Sequence, residues 1–368
     1  MIRESCRWPT YPASDHYHPA SGRFFNPEPQ RVVRPLDAAS AVAPMMFRRK
    51  DRFPPQPLPL IAPDFSPFRQ PENGVDGETA RFIWFGHSTL LARIGGLNLI
   101  TDPVFGAAAS PYRWMFRRFQ PPLVPAAALP PLDVVLISHG HYDHLEEAFV
   151  RRFAAGGALF VAPLGVEVWL KHWGVPAERI RIADWYQQIR IGHLTLTAVP
   201  ARHDCARGIG DRNRSLWAGW VLAAAGEQFY FSGDSAYGRH FAEIGRRFGG
   251  FDLAFVENGQ YDRRWPDNHM FPHQTVQAAL DVGARRLMPI HWGMFSLARH
   301  AWDEPVRRSN AFARQRGLPL LTPMLGELFD SRSSGSGDWW QNVTGGRMWR
   351  RKPRQPEKPL IRFSGCLG

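Results

Sequence analysis

A chain of 368 residues with 44% apolar side chains and a mean hydropathy of −0.32 has the composition of a globular protein, with length for one large domain or two ordinary ones. It contains no uncharged apolar run of about 18 residues and no apolar signal core at its N-terminus, so neither a membrane-spanning helix nor secretion is expected. The net charge of +12 admits nucleic acid, an anionic membrane or an anionic substrate, but residues 331–368 carry eight Lys/Arg against two Asp/Glu and hold half of it, so the body is only mildly basic.

Residues 1–80 hold 14 of the 33 prolines, and FPPQPLPLIAP (53–63) can be neither a regular helix nor a central strand, because proline removes the backbone donor. An N-terminal arm over 1–80 is expected to pack on the core, with Phe24, Phe25, Met45, Met46 and Phe47 suggesting that it docks somewhere and a surface arm as the competing reading. From residue 81 the texture changes. RFIWFG reads as a strand, TLLARIGGLNLITD as a hairpin broken at Gly95-Gly96, and LDVVLISH (132–139) as a buried strand. HLEEAFVRRFAA (144–155) reads as a helix with acids in its first turn and arginines in its last. Downstream, ALFVAP, QIRIGHLTLTAVPARH, SLWAGWVLAA, EQFYFSGD, FDLAFVE and RRLMPIHW read as strands. LGVEVWLKHWG, GRHFAEIGRRFG, HQTVQAALDVG and DEPVRRSNAFARQRG read as helices. Residues 81–330 are thus expected to form one catalytic domain, followed by a basic, disordered tail over 331–368. The alternation, with hairpins early, predicts an α/β protein with mixed sheets. No GxGxxG follows a first strand and no GxxxxGK[ST] occurs, so dinucleotide and P-loop readings have no support.

The densest chemistry lies in VVLISHGHYDHLEE (134–147), where His139, His141, Asp143 and His144 spell HxHxDH between a strand and a helix. Imidazole and carboxylate together suit Zn²⁺ and related divalent ions, and a strand's carboxyl end is where α/β proteins bind ligands. His139 and His141 can point one way and Asp143 and His144 another, so one segment can serve two neighbouring cations. His203, Asp234 and His291 also end strands and are candidate partners. Each taken alone has a competing reading as a cap or a satisfied polar group. The three cysteines, Cys6, Cys205 and Cys366, are far apart and odd in number; no disulfide framework is expected and a reducing cytoplasm fits. Cys205, although near His203, is expected to be inert.

The order HxHxDH, His, SGD, His resembles that of the metallo-β-lactamase superfamily over about residues 81–325. GRFFNP (22–27), WFGHSTLL (84–91), TDPVF (101–105), RFQPP (118–122), LISHGHYDHL, SGDSAYG, HMFPHQTVQAALD and PIHWGMFSLARHAWDEP are similar to the N-acylphosphatidylethanolamine-hydrolysing phospholipase D group and its bacterial relatives. VENGQYDRRW (256–265) is more like the bacterial branch. The resemblance implies a four-layer αββα sandwich with two Zn²⁺. His139, His141 and His203 would hold one, Asp143, His144 and His291 the other, and Asp234 would bridge them. Asp143, Asp234 and His273 are the implied catalytic candidates. Asp143 would also orient the attacking hydroxide, and His273 stands either at the rim of the site or as a helix cap. Asp102 is either a support for a ligand imidazole or a turn former before proline; His87 is either near the metals or a structural turn residue; His269 has a weaker case.

Two cations lower the pKa of water to near neutrality, so no serine or cysteine nucleophile is needed, and no GxSxG elbow is present. The leading expectation is a zinc-dependent phosphodiesterase acting on N-acylated phosphatidylethanolamine. The same ligand set would serve a lactonase or ester hydrolase. A nucleic-acid-processing module would use the basic tail with Trp339, Trp340 and Trp349 to stack on bases. The partners expected are a small-molecule or phospholipid substrate and reversible peripheral membrane contact through MMF (45–47) and LPLIAPDF (58–65), with a homodimer left open and nucleic acid disfavoured. The corresponding location expected is cytoplasmic, with peripheral association to the inner face of the membrane left open.

Overall fold

The computed structural model describes residues 8–30, 50–69, 79–208, 210–335 and 337–343. A two-stranded ribbon, β1 (Tyr17–His18) and β2 (Arg23–Phe24), precedes the main fold. Then come β3 (Arg81–Trp84), β4 (Leu90–Ile94) and β5 (Leu97–Thr101), an antiparallel meander. Its β4–β5 turn places Gly95 and Gly96 at φ of 58° and 81°, a region that glycine enters without a Cβ clash. β6 (Val134–Leu136), α1 (Glu147–Phe153), β7 (Leu159–Pro163), α2 (Glu167–His172) and β8 (Ile180–Ala183) continue as parallel crossovers. The second half runs through β9 (Gln188–Ile191), β10 (Leu194–Val199), β11 (Gly219–Ala224), β12 (Glu227–Phe231), α3 (His240–Phe248), β13 (Leu253–Glu257), α4 (Pro272–Asp281), β14 (Leu287–Ile290), α5 (Glu304–Gln315) and β15 (Leu328–Phe329).

Two mixed sheets result, a seven-stranded one ordered β15-β3-β4-β5-β6-β7-β8 and a six-stranded one ordered β14-β13-β12-β11-β10-β9. Strands buried on both faces explain the near-continuous apolar runs. Phe82, Trp84, Leu99 and Leu136 of one sheet meet Leu196, Leu222, Phe229 and Phe255 of the other between the layers. Their alternates Ile83, Leu91, Val135 and Phe160 turn outward onto Phe149 and Val150 of α1 and Trp169 and Leu170 of α2. On the far side, Tyr230, Ala254 and Val256 pack on Phe241, Ile244, Val276 and Ala279 of α3 and α4. This is the four-layer αββα arrangement. β15 and the β1–β2 ribbon, two-residue elements, are not legible in the sequence; β8 (IRIA) does alternate at Ile180, Arg181 and Ile182 but is missing from the strands expected above.

The described part of the proline-rich arm buries Tyr17, Phe24 and Leu58 in the core between the sheets. The segment MMF (45–47), Cys6, Cys366 and Trp349 lie outside the described residues. The expected tail boundary is corrected: a 3-10 turn, Trp339–Val343, folds back onto the domain. Trp339 and Trp340 are buried, with ring centroids 5.6 and 6.1 Å from that of Trp292. Core rings cannot stack on bases, which removes two of the three tryptophans from the nucleic-acid reading. Among the described residues no helix is long and apolar enough to cross a membrane.

Candidate metal centre

Strand ends from both sheets converge at one edge. His139 follows β6, Asp102 follows β5 and His87 lies in the β3–β4 turn; from the other sheet, His203 follows β10, Asp234 follows β12 and His291 follows β14. The sheets are stapled there by a reciprocal backbone pair. The His87 N–H donates to the Trp292 carbonyl at 3.0 Å, and the His291 N–H to the His87 carbonyl at 2.9 Å. His87, Asp102, Gln260 and His291 have φ of 53°, 37°, 61° and 66°, an uncommon conformation for side-chain-bearing residues that concentrates where tertiary packing over-determines the backbone. Gly259 permits the approach, since a Cβ there would lie 2.1 Å from the His291 carbonyl oxygen.

The structure brings all seven strand-end and loop candidates into this one cluster. His139 Nε2 and His203 Nε2 lie 2.9 and 3.2 Å from His141 Nδ1. His87 Nε2 lies 2.8 Å from Asp143 Oδ2, and His144 Nε2 3.4 Å from it. Asp234 reaches both groups, with Oδ2 3.1 Å from His144 Nε2, 3.9 Å from His139 Nε2 and 3.7 Å from His203 Nε2. Its Oδ1 is 3.1 Å from His291 Nδ1 but outside hydrogen-bond alignment.

The donor set calls for cations. His203 Nδ1 donates to the Asn268 carbonyl at 2.9 Å, and His139 Nδ1 to Ser138 Oγ at 2.9 Å, because the Ser138 hydroxyl is already donated to Asp102 Oδ2 at 2.6 Å. Both Nε2 atoms therefore present lone pairs toward His141 Nδ1, which carries at most one proton to share between them. His144 Nε2, His291 Nε2, His87 Nδ1 and Asp234 Oδ1 are buried with no hydrogen-bond partner. Burial holds His139, His141 and His291 below the ordinary imidazole range and His203 down to about 3, so these rings are neutral and their lone pairs available. Burial pushes the Asp234 and Asp143 carboxyls up, yet the imidazoles around them, His144 foremost, hold both well below the usual carboxylate range. His144 faces Asp234, Asp143 and Asp102 together; although burial opposes it, those three charges raise its imidazole well above 6.5. So much buried negative charge is matched by a divalent cation better than by one shared proton. His139, His141 and His203 could hold one ion, and Asp143, His144 and His291 with His87 beside them a second, with Asp234 reaching both.

Residues behind the cluster set ring orientations. Asp102, fully buried, accepts from His144 Nδ1 at 2.7 Å and from the Ser138 backbone N–H at 2.7 Å. Of its two sequence readings, the structure has the one in which it supports a candidate ligand. Asn26, from GRFFNP in the arm, clamps His203 by donating to its carbonyl at 2.7 Å and accepting from its N–H at 3.2 Å. The buried Arg207 guanidinium stacks 4.0 Å from the Tyr142 ring and donates to the carbonyls of Gly140, His141 and Leu145 at 2.8, 3.2 and 2.7 Å, gripping the HxHxDH loop from behind.

Residues 97–292 match the family model described as a beta-lactamase superfamily domain. The chain belongs to the beta-lactamase superfamily. Metal-dependent hydrolases are among its relatives. An uncharacterized protein of Mycobacterium tuberculosis is 40% identical over 331 residues, 87% of this chain and 86% of its own. The N-acyl-phosphatidylethanolamine-hydrolyzing phospholipase D 1 of Caenorhabditis elegans is 31% identical over 284 residues, 74% of this chain and 76% of the relative. In fold, the chain resembles a metallo hydrolase of Ignicoccus hospitalis with a TM-score of 0.52 at 18% identity, covering 68% of this chain and 98% of that one.

Within this superfamily frame, one candidate is displaced. His273, read from sequence as either at the rim or a helix cap, sits exposed in the first turn of α4, two residues past the cap Phe271, its ring 5.8 Å from Phe312 and outside the cluster. His269, four residues earlier and weakly rated from sequence, enters instead. The helix starts only at Pro272, so residue 269 lies in the loop that crosses the site. Its Nδ1 donates to Glu257 Oε2 at 2.8 Å and lies 4.0 Å from Asp234 Oδ2. Its ring centroid is 5.1 Å from that of His203 and 5.2 Å from that of His291, and 14% of its side chain reaches solvent. Burial raises Glu257 to about 7, while Glu257, Asp234 and Asp143 bring His269 to about 9 against the effect of its own burial. Glu257, ending a strand that reads as purely apolar but for this residue, gave no sequence signal beyond that break in the run.

Proposed function

We propose that this chain hydrolyses phosphodiesters, and specifically cleaves N-acylated phosphatidylethanolamine in the manner of a phospholipase D. Water would add across the bond between phosphorus and the ethanolamine oxygen, its hydroxyl going to phosphorus and its proton to the departing oxygen, giving phosphatidic acid and an N-acylethanolamine. The observation that carries this reading is the Asp234 carboxylate set between two groups of imidazoles, with His269 on the open side. The C. elegans phospholipase D relative supports the lipid. Two bound divalent cations, zinc by the preference of imidazole-rich sites, would supply Lewis-acid activation of water and neutralise the charge of an anionic diester. His139, His141 and His203 would hold one, Asp143, His144 and His291 the other, and Asp234 both. The remaining work falls to the protein. Asp102 and Ser138 fix the tautomers of His144 and His139. Asn268 and Asn26 fix His203. His87 restrains Asp143. His269, oriented by Glu257, holds a proton within reach of a departing oxygen.

The test is metal analysis of the purified chain together with turnover of a bis-aryl phosphodiester, a lactone and N-acylphosphatidylethanolamine, each before and after chelation. The reading expects near two equivalents of zinc, chelator-sensitive diester hydrolysis and release of N-acylethanolamine. Turnover of the lactone alone, or full activity in chelated protein, overturns it. Replacing His269 with Gln should lower kcat on the diester by about 10²–10⁴-fold with bound metal unchanged.

A further inference from the structure

One exposed segment lies next to the site and takes no part in it. Between Asp102 and Asp133 the chain has no acidic residue, and within it runs PYRWMFRRF (111–119). The segment is an antiparallel finger. Ala108 pairs with Arg117, the Ala109 N–H donates to the Phe116 carbonyl at 3.0 Å and the Arg118 N–H to the Ala107 carbonyl at 3.1 Å. Its base is fixed to the domain. The Glu146 carboxylate accepts from the Phe105 and Gly106 N–H groups at 2.6 and 3.0 Å, and the Phe119 N–H donates to the Met294 carbonyl at 2.8 Å. Arg118 folds inward, 5.6 Å over the Phe295 ring, and Phe295 in turn stands edge-on to His87 at 5.2 Å. The tip is the opposite of its base. Pro111, Tyr112, Arg113 and Trp114 are consecutively exposed, as is Arg117, and Tyr112 and Trp114 are 58% and 66% exposed with their rings 6.0 Å apart.

Single exposed apolar residues need no explanation, but two adjacent aromatics held on a braced projection and flanked by arginines do. Tyrosine and tryptophan carry an apolar body and a polar edge, which suits the headgroup level of a bilayer, and arginines beside them face anionic headgroups. We propose that the finger at 106–119 docks the protein on an anionic phospholipid bilayer and brings the metal centre to the headgroups. A single-stranded nucleic acid fits less well, since such strands follow a groove whereas these rings stand on a convex tip. The proposal deepens the phospholipid reading above and rests on it for the identity of the partner; vesicle binding and soluble-diester turnover are read separately, so either can fail alone.

The experiment uses the metal-loaded full chain, sedimented with phosphatidylcholine vesicles and with phosphatidylcholine–phosphatidylglycerol vesicles. Binding is expected to the anionic vesicles, and to weaken in high salt. The pairs Tyr112→Ser with Trp114→Ser, and Arg113→Glu with Arg117→Glu, should each lower the partition by about tenfold or more. Metal content and turnover of the bis-aryl diester should not change. Equal binding to neutral vesicles, or unchanged binding in both pairs, overturns the proposal. So does a loss of metal in the variants, a variant effect confined to dimer formation by light scattering, or retention by single-stranded RNA in place of vesicles. Vesicle binding by a chain inactive on every diester leaves the finger standing and removes the substrate reading.

Discussion

Replacing Asp102 with Asn changes one atom and tests how the centre is held. Asn tolerates the left-handed backbone that residue 102 adopts at φ 37°, so the loop itself is not challenged. The amide oxygen can still accept from the Ser138 N–H, as Oδ1 does now at 2.7 Å. The amide NH2 then replaces Oδ2, where two donors arrive, the Ser138 hydroxyl at 2.6 Å and His144 Nδ1 at 2.7 Å. Donor would face donor. The imidazole relieves this by moving its proton to Nε2, the atom that faces Asp234 and Asp143, and a protonated Nε2 cannot ligate. Removing such a partner lowers metal affinity by about 10–100-fold, or about 1.4–2.8 kcal/mol at 1.4 kcal/mol per decade. Competition for Zn²⁺ against a chromophoric chelator measures it, with Ser138→Ala as the milder companion that keeps the charge. Affinity in Asp102→Asn within about threefold of the parent would refute the reasoning, since that is well under one decade of binding energy.

Three further outcomes are expected. Asn26→Ala frees the His203 backbone on both sides and should cost about 1–3 kcal/mol in chemical denaturation of the metal-loaded chain; an unchanged midpoint would show that the arm contributes nothing to the site. Gly259→Ala places a Cβ 2.1 Å from the His291 carbonyl and should cost bound metal and diester turnover, whereas Gly157→Ala, with nothing within 4 Å, should match the parent in metal analysis. Burial pushes the Cys205 thiol up to about 11. With Cys6 and Cys366 replaced by Ser, the native chain at neutral pH should therefore leave a thiol reagent unreacted until denaturant is added; prompt reaction contradicts this.

The order of helices and strands was largely readable because this is a fold whose strands are buried on both faces. Apolar runs such as LDVVLISH, bounded by turn residues, identify themselves. SLWAGWVLAA shows the usual failure at a boundary: β11 starts at Gly219, and Ser215 is spent on a hydrogen bond to the Cys205 sulfur. The two-residue strands owe their existence to a neighbouring strand, and a local pattern carries no trace of that. The tail boundary failed for a related reason. SRSSGSGD reads as solvent-exposed chain, and nothing local reveals that Trp339 and Trp340, just beyond it, have Trp292 as a partner.

For the site, the sequence determined the inventory: which imidazoles and carboxylates end strands, and that HxHxDH lies between β6 and α1. Strand ends are local features and an ion's ligands are few residue types, so chemistry and position could be read together. Only tertiary structure decided which of two histidines in HMFPHQ enters, since that depends on where α4 begins. It alone showed Glu257 beneath His269, Asn26 reaching across 177 residues to His203, and Arg207 behind the HxHxDH loop. These residues act through contacts between segments remote in the chain, and the free energy of such contacts is set by burial and geometry, neither of which a local stretch of sequence contains.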